Sequence, residues 1–266
     1  MHPLRLYLAL ISVRIRAQMQ YRASFALDVL GTCFGTFVSF ITLAAVFGRF
    51  GNIGGWKLGE VAFLYGLVET SLAVADMLFG GFDTPFFSEL IRRGTLDQLL
   101  LRPLSLVLQV FGADFVLRRL GRIAQGVFVF GLGLYLTDLA WTPLKGLYLP
   151  LVFVSTVAFF GSLFVMGATL CFWTVQPAEV MNIFTYGGSE MLSYPMHIYS
   201  DWLRRFFTFV VPAALLVYYP TLYFLDKPDP SGSFLPFLAP LAGWGMLALS
   251  FACWQVGLRH YQSTGT

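Results

Sequence analysis

An all-α integral membrane protein with about six transmembrane helices is the fold class that the sequence predicts. Of its 266 residues, 57% are hydrophobic and only 12% are charged, whereas soluble domains carry roughly 25% charged residues. Apolar stretches of about 20 residues, the length that crosses a bilayer, recur along the chain, and arginines concentrate between alternate stretches. The net charge of +3 is too small to indicate a nucleic-acid partner.

The first predicted element is an amphipathic helix at residues 3–21. Apolar side chains recur there at helical spacing, at Leu4, Leu8, Ile11, Ile15 and Met19. This pattern is typical of a helix that lies on a membrane surface, so we expect it to contact membrane lipids.

Six spans follow, near residues 25–47, 61–82, 116–139, 147–173, 178–194 and 234–255. The region after the fourth span is broken by glycines, prolines and charged residues. Irregular backbone at membrane depth is tolerated only where protein or a water-filled cavity covers it. We therefore expect a fifth span at 178–194 and a re-entrant helical hairpin at 195–224. A simpler alternative starts the span at Arg205 and leaves residues 175–204 in the cytoplasm.

Orientation follows from the rule that basic loops stay in the cytoplasm. Basic residues cluster before the first span, between the second and third spans and after the last one, at Arg5, Arg14, Arg16, Arg22, Arg92, Arg93, Arg102, Arg118, Arg119, Arg122 and Arg259. Both termini and the second-to-third loop are therefore predicted to be cytoplasmic. The hairpin interpretation conflicts with the rule at Arg204 and Arg205, which it places outside.

The loop between the second and third spans contains a charged segment at residues 86–105 that is interrupted by residues that end helices. Gly94 is suited to ending a helical turn, and Thr95 with Gln98 matches a T-x-x-Q capping box that would start a second short helix. Pro103 should end that helix at Arg102. The second helix would expose an apolar face of Leu96, Leu99 and Leu100. Two interpretations remain open: a loop that rests on lipid headgroups, or a surface that docks a soluble protein.

Three acids lie within predicted spans. Glu69 and Asp76 are seven residues apart in the second span, and hence share a helical face, while Glu190 lies in the fifth span. Ionisable groups at membrane depth usually face a bundle interior or a cavity. They could line a substrate path, or they could bond to a neighbouring helix or lie at the interface.

Small residues in the first span form a G-x-x-x-G pattern at Gly31 and Gly35, which Ser39 extends. Such patterns allow two helices to approach closely in lipid, either within this chain or between two subunits. The three cysteines and three histidines have no metal-ligand spacing, so we expect no metal site. Without an internal repeat or a linker, residues 1–266 are predicted to form a single transmembrane domain.

Three stretches resemble a known family. RRGTLDQLLLRPLS resembles the cytoplasmic segment of ABC-2-type permeases, where R-x-G-x-L-(D/E)-x-L-L-x-x-P is typical. VVPAALLVYYP is similar to the branch called ABC-2 family transporter proteins. YPMHIYSDWLRRFF resembles the motif F-P-x-x-x-x-P-x-W-L of re-entrant outer helices, with Ser200 or Asp201 in place of the second proline. The resemblance covers nearly the whole chain, including the six-span layout.

The resemblance implies the permease subunit of a bacterial ABC exporter, which moves a lipophilic or amphiphilic substrate (a drug, a lipid or a saccharide) across the inner membrane. It implies a separate ATP-binding subunit, which would hold ATP and Mg, and a second permease subunit, identical or related. The chain itself would bind no cofactor.

Residue roles follow from the same resemblance. Segment 86–105 would be the coupling helix that docks the ATPase, through Arg92, Arg93, Gly94, Thr95, Leu96, Asp97, Leu99, Leu100, Arg102 and Pro103. The first and fifth spans of the family meet near the dimer axis, which makes Gly31, Gly35 and Ser39 dimer-contact candidates. The hairpin would form an outer gate with Tyr194, Pro195, Trp202, Pro212, Tyr219 and Pro220.

The sequence agrees with this implication by lacking a P-loop, G-x-x-x-x-G-K-[ST], which cradles phosphates. None of the three lysines, Lys57, Lys145 and Lys227, follows a glycine, so we expect that this chain is not an enzyme. Two alternatives remain: a polytopic membrane enzyme or assembly factor without an ATPase partner, and an ion-coupled carrier. A carrier should interrupt helices in both halves, and here only one half is interrupted.

Overall fold

The computed structural model describes residues 3–174, 178–228 and 234–263, and these residues form helices without a β-strand. In chain order the helices are α1 (Pro3–Met19), α2 (Arg22–Phe50), α3 (Leu58–Phe79), α4 (Thr84–Arg92), α5 (Thr95–Leu100), α6 (Leu106–Phe111), α7 (Arg119–Leu136), α8 (Pro143–Leu170), α9 (Ala178–Asn182), α10 (Gly188–Leu192), α11 (Asp201–Arg205), α12 (Ala213–Leu216), α13 (Tyr218–Phe224) and α14 (Ala239–His260). Two π-helical turns, Ile183–Gly187 and Phe206–Val210, join α9 to α10 and extend α11.

Several of these helices are suited to crossing a membrane. Within the described residues, four are long and apolar enough: Arg22–Phe50, Leu58–Arg92, Pro143–Leu170 and Leu235–His260. A fifth results if Asp201–Val210 and Ala213–Phe224, which are bent by 73° relative to each other, count as one span. The protein is therefore an all-helical multi-pass membrane protein, and the six-span layout remains a prediction.

The remaining predicted spans coincide with less apolar helices. The third corresponds to α7, whose first turns contain Arg119 and Arg122. These two arginines therefore lie within α7 and not in the loop before it, while the cytoplasmic location of this end of α7 stays a prediction. The fifth corresponds to α9, its π-helical turn and α10, which together run from residue 178 to residue 192.

Helix α3 is the centre of the bundle, because nearly every side chain along it is buried. It packs closely on α7 through small residues. A Cβ atom at Gly133 would overlap with the backbone of Phe63, and one at Gly126 would contact Thr70. These two glycines therefore lie where the backbones of α3 and α7 meet. Helix α3 also contacts α8, and α8 in turn packs along α14.

The two ends of α3 lead to different structures. Its C-terminal end continues into α4, α5 and α6. At its N-terminal end, the ring of Trp56 stacks on His197 of segment 195–224. A helix of 22 residues is about 33 Å long, so segments 86–105 and 195–224 lie at opposite ends of the bundle. This arrangement disagrees with the alternative in which residues 175–204 share the side of segment 86–105.

Helix α1 forms where the amphipathic pattern predicts a helix, and it is attached to the rest of the chain by Gln18. The Gln18 side-chain amide donates a 2.6 Å hydrogen bond to the carbonyl of Phe115, and its oxygen accepts one of 2.8 Å from the N–H of Leu117. These bonds hold α1 beside the start of α7.

Candidate functional site

Segment 86–105 changes direction at Gly94. This residue has a φ of +64°, in the left-handed region that favours glycine, and its N–H bonds to the carbonyl of Ile91 at 3.0 Å. The predicted break between two short helices is thus confirmed. The predicted capping box is wrong, since α5 begins at Thr95 itself and no side chain caps it. As the first helical residue, Thr95 is one position too late to act as the N-cap.

The apolar face of α5 is turned partly inward. Helix α5 packs on α4 and α6, so Leu96 is 0% exposed and Leu99 packs against the same core. Our expectation that Leu96 is exposed for a partner was therefore wrong. The exposed leucines lie at the end of α5 and just beyond it, at Leu100 (42% exposed), Leu101 (87%) and Leu104 (43%).

Hydrogen bonds hold the inner side of α5 to distant parts of the chain. Asp97 accepts bonds from the hydroxyls of Tyr261 at 3.0 Å and Ser263 at 2.7 Å, both just beyond α14. The side chain of Gln109 donates to the carbonyls of Leu99 at 3.0 Å and Leu104 at 3.2 Å. Burial, together with the bond to Asp97, raises the pKa of Tyr261 to about 12, so its hydroxyl stays a donor at neutral pH.

The outer side of segment 86–105 is basic. Arg92 and Arg93 both pair with Glu89, yet their side chains remain 66% and 72% exposed. Arg102 and Pro103 are exposed as well. The surface thus presents leucines beside guanidinium groups, which is suited to a partner with an apolar pocket and an acidic rim.

The two acids of α3 are paired within the chain. Glu69, 3% exposed, accepts a 2.9 Å hydrogen bond from Nε of Arg122. Asp76 lies 3.0 Å from Nε of Arg119, whose other nitrogen contacts Asp114 at 3.1 Å. This geometry agrees with the alternative in which these acids bond to a neighbouring helix. The pairing arginines were read from the sequence only as loop charges, and their i, i+3 spacing facing two acids was the signal that could have identified them.

Glu190 differs from the other two acids because it is exposed and has no ion pair with another described residue. Tyr186 lies four residues before it, and the guanidinium of Arg122 lies 5.7 Å from the Tyr186 ring centroid. Helix α10 packs against α3. Glu190 is therefore the one of the three predicted pathway acids that an incoming molecule could reach directly.

Helix α2 carries the small-residue pattern on its open side. Gly31, Gly35 and Ser39 are all exposed, and a Cβ atom at either glycine would contact nothing within 4 Å. The interpretation as packing within the chain is therefore wrong. The close approach of α2 to α7 instead uses Gly121, where a Cβ atom would overlap with the carbonyl of Val29.

At the other end of the bundle, segment 195–224 is fastened to the loop before α3 by Trp56. Its ring stacks on those of His197 and Tyr218, with centroids 6.3 Å and 6.0 Å away. The Nζ of Lys227 lies 5.0 Å from the Trp56 ring centroid and pairs with Glu60 at 3.0 Å. Burial and the charge of Lys227 lower the pKa of His197 below its ordinary value. Sequence reasoning missed this cluster, since its members lie far apart in the chain.

The predicted gate residues occupy different environments in segment 195–224. Pro195, Tyr219 and Pro220 are buried, Tyr194 and Pro212 are half-buried, and Trp202 is 69% exposed. Sequence reasoning also missed an ion pair just after the segment. The side chain of Lys145, only 5% exposed, pairs with Asp226 at 2.7 Å. It also donates a 3.0 Å hydrogen bond to the carbonyl of Phe224. Within the part of the chain that the structure describes, no three His, Cys, Asp or Glu side chains are grouped to hold a metal.

Comparison with known proteins identifies one family. The family described as ABC-2 family transporter protein matches residues 34–265. No curated protein matches the chain, and no solved structure matches it either.

Proposed function

The chain belongs to the ABC-2 family of transporter proteins, and from this membership we propose that it is the permease subunit of a bacterial ABC exporter. It would move a lipophilic or amphiphilic substrate (a drug, a lipid or a saccharide) across the inner membrane. Membrane subunits of this family generally work with an ATP-binding subunit, which would hold the ATP and Mg. The chain would then perform translocation and leave hydrolysis to its partner.

The observation that supports this proposal most strongly is the outer surface of segment 86–105. Leu101, 87% exposed, and Leu100 stand beside two largely exposed arginines. Burial of a water-exposed leucine against a partner stabilises the complex by about 1.5–3 kcal/mol. Hydrogen bonds from Tyr261 and Gln109 also hold the inner side of α5 in place. A surface that transmits the motion of a partner requires such support. We infer that segment 86–105 is the coupling helix that docks the ATPase.

Motion of this segment would reach the spans through two connections. Leu96 is buried in the core to which α3 and α8 contribute, and Asp97 is bonded to Tyr261 beyond α14. A displacement of α5 would therefore act on the centre of the bundle and on the last helix together. ATP-driven closure of the ATPase subunits would in this way switch access between the two sides.

A second permease subunit, identical or related, would complete the path. The open small-residue side of α2, at Gly31, Gly35 and Ser39, is proposed as a contact with that subunit, since small residues allow close helix approach in lipid. Glu190, exposed and without an ion pair among the described residues, is the preferred pathway residue. Glu69 and Asp76 would instead maintain the packing of α3 on α7.

The topology that accompanies this function has six spans with both termini in the cytoplasm. Segment 195–224, whose two halves are bent by 73°, would be the re-entrant hairpin on the outer side. Its attachment to the loop before α3, through Trp56, supports a gate that opens when this contact separates. Reporter fusions after residues 22, 54, 103, 143 and 259 should alternate in, out, in, out, in.

The proposal is tested by affinity purification of the chain from its native host, followed by reconstitution in vesicles. An ATP-binding protein should co-purify in a 1:1 ratio, and its ATP hydrolysis should be stimulated by some members of a panel of amphiphiles. Purification without an ATPase would instead favour the membrane enzyme or assembly factor.

A further inference from the structure

An open cavity of about 480 Å³ lies where α1, α2 and the approach to α7 meet. Small-molecule sites commonly have volumes of about 300–1,000 Å³. Tyr21, Ser24, Asp28 and Arg118 contribute to its lining. Gln18, which attaches α1, also lines the cavity, but the cavity lies apart from segment 86–105 and from the cluster at Trp56.

The cavity lies at the end of the bundle that carries segment 86–105, where the first predicted span begins. Helix α2 begins at Arg22 and rises about 1.5 Å per residue, which puts Asp28 about 9 Å along it. Gly121 of α7 lies against Val29 of α2, so the start of α7, and Arg118 just before it, lies at a similar depth. Surface helices such as α1 sink about 5–10 Å into the headgroup and acyl boundary.

Two opposite charges face this cavity without neutralising each other. Asp28 and Arg118 are both exposed, and neither forms an ion pair or a side-chain hydrogen bond with another described residue. A charge at membrane depth is costly unless it is paired or hydrated. A ligand that carries one positive and one negative group at its polar end would satisfy both residues at once.

We propose that this cavity binds the headgroup of a zwitterionic phospholipid of the phosphatidylethanolamine class. Arg118 binds the phosphate, for which a guanidinium is well suited, and Asp28 accepts hydrogen bonds from the ammonium group. The hydroxyls of Tyr21 and Ser24 offer further donors. The acyl chains continue along the apolar outer side of α2, where Leu27 and Leu30 are 70% and 65% exposed. This inference needs only a membrane location and does not rest on the proposed transport function.

The proposal is tested by native mass spectrometry of the whole chain, incubated with equal amounts of phosphatidylethanolamine and phosphatidylglycerol. The second lipid has the phosphate but lacks the ammonium group. The wild-type chain should retain the first in excess. Asp28→Asn should lower the ratio of the two by about threefold, which is the effect of one partly exposed ion pair. Arg118→Gln should lower the retention of both lipids.

Two control variants remove similar charges elsewhere: Asp138→Asn in the loop after α7 and Arg259→Gln near the end of α14. Both residues are exposed, and neither change should alter the ratio. Folding is checked by size-exclusion chromatography. Asp28→Glu, which keeps the negative charge, should retain the preference for phosphatidylethanolamine that Asp28→Asn loses. The proposal is overturned if the wild-type chain retains the two lipids equally. It is also overturned if folded Asp28→Asn and Arg118→Gln behave as the controls do.

Discussion

The hydroxyl of Tyr261, just beyond the last membrane helix, donates a 3.0 Å hydrogen bond to the carboxylate of Asp97 in α5. The two residues are 164 positions apart in the chain. Since the ring of Tyr261 also packs on Phe172 after α8, with centroids 5.9 Å apart, α5 is linked to the ends of two long helices. This relationship gives segment 86–105 a direct connection to the bundle that it is proposed to move.

Tyr261→Phe removes this connection and little else. A single hydrogen bond contributes about 0.5–1.5 kcal/mol, so we expect the variant to fold and to keep its ATPase partner. Substrate transported per ATP hydrolysed should fall by about two- to tenfold, measured in reconstituted vesicles. Tyr135→Phe is the matched control, because that tyrosine is 84% exposed. An unchanged ratio in Tyr261→Phe would show that the bond does not transmit motion.

The Glu69–Arg122 pair is expected to stabilise the packing of α3 on α7. Breaking a buried pair on one side leaves a charge uncompensated and costs about 3–5 kcal/mol. Glu69→Gln and Arg122→Gln should therefore each lower the unfolding temperature in detergent, while the double variant should be more stable than either single one. Equal or additive losses would contradict the assignment of these residues to packing.

Glu190 is expected to act on substrate choice instead. Because Glu190 is exposed and lies in the predicted fifth span, a cationic amphiphile should interact with it more favourably than a neutral one. Glu190→Gln should keep the unfolding temperature within about 1 °C, as for a surface change. It should also lower stimulation of ATP hydrolysis by cationic compounds severalfold relative to neutral ones. Loss of stimulation by both classes to the same extent would argue against a pathway role.

His197 should make the contact at Trp56 sensitive to acid. Its pKa is lowered in the folded protein by burial and by the charge of Lys227, so the unfolded chain binds the proton more readily. The stability that neutral His197 allows is therefore fully present above the ordinary value of about 6.5 and is lost as the pH falls through it toward the lower folded value. Unfolding temperatures measured from pH 8 to pH 5 should show a decline that His197→Gln reduces.

His260→Gln is the control for this measurement, since His260 is exposed and lies at the other end of the bundle. A decline of the same size in wild type and His197→Gln would assign the acid sensitivity to other groups.

Features that depend on neighbouring residues could be predicted from the sequence. The helices of the bundle lie near the apolar stretches that predict them, because span length depends only on local composition. The break at Gly94 followed from the conformational freedom of one residue. The first residue of α5 was predicted less accurately. The capping box would place the N-cap at Thr95, whereas the structure has Gly94 there, one position earlier.

Features that depend on distant contacts could not be predicted. Leu96 and Leu100 have the same side chain on one short helix, yet only packing on α4 and α6 decides which of them is buried. Arg122 pairs with a residue 53 positions earlier. The spacing of Arg119 and Arg122 suggests a shared face, but only the packing of α3 on α7 decides which acids they meet. The residues predicted for the docking surface of segment 86–105 therefore include two that the structure buries, Gly94 and Leu96, and the docking role itself stays a prediction.

The central claim, that the exposed leucines of segment 86–105 dock an ATPase, is tested most directly by co-purification. Burial of each leucine is worth about 1.5–3 kcal/mol, so Leu100→Ser with Leu101→Ser should weaken docking by roughly a hundredfold or more. The control is Leu8→Ser with Val13→Ser, a pair that is also exposed but lies on α1. We predict that the segment 86–105 double variant inserts and folds but no longer retains its ATPase, while the control retains it at the wild-type level. Wild-type retention by the segment 86–105 double variant would contradict the account.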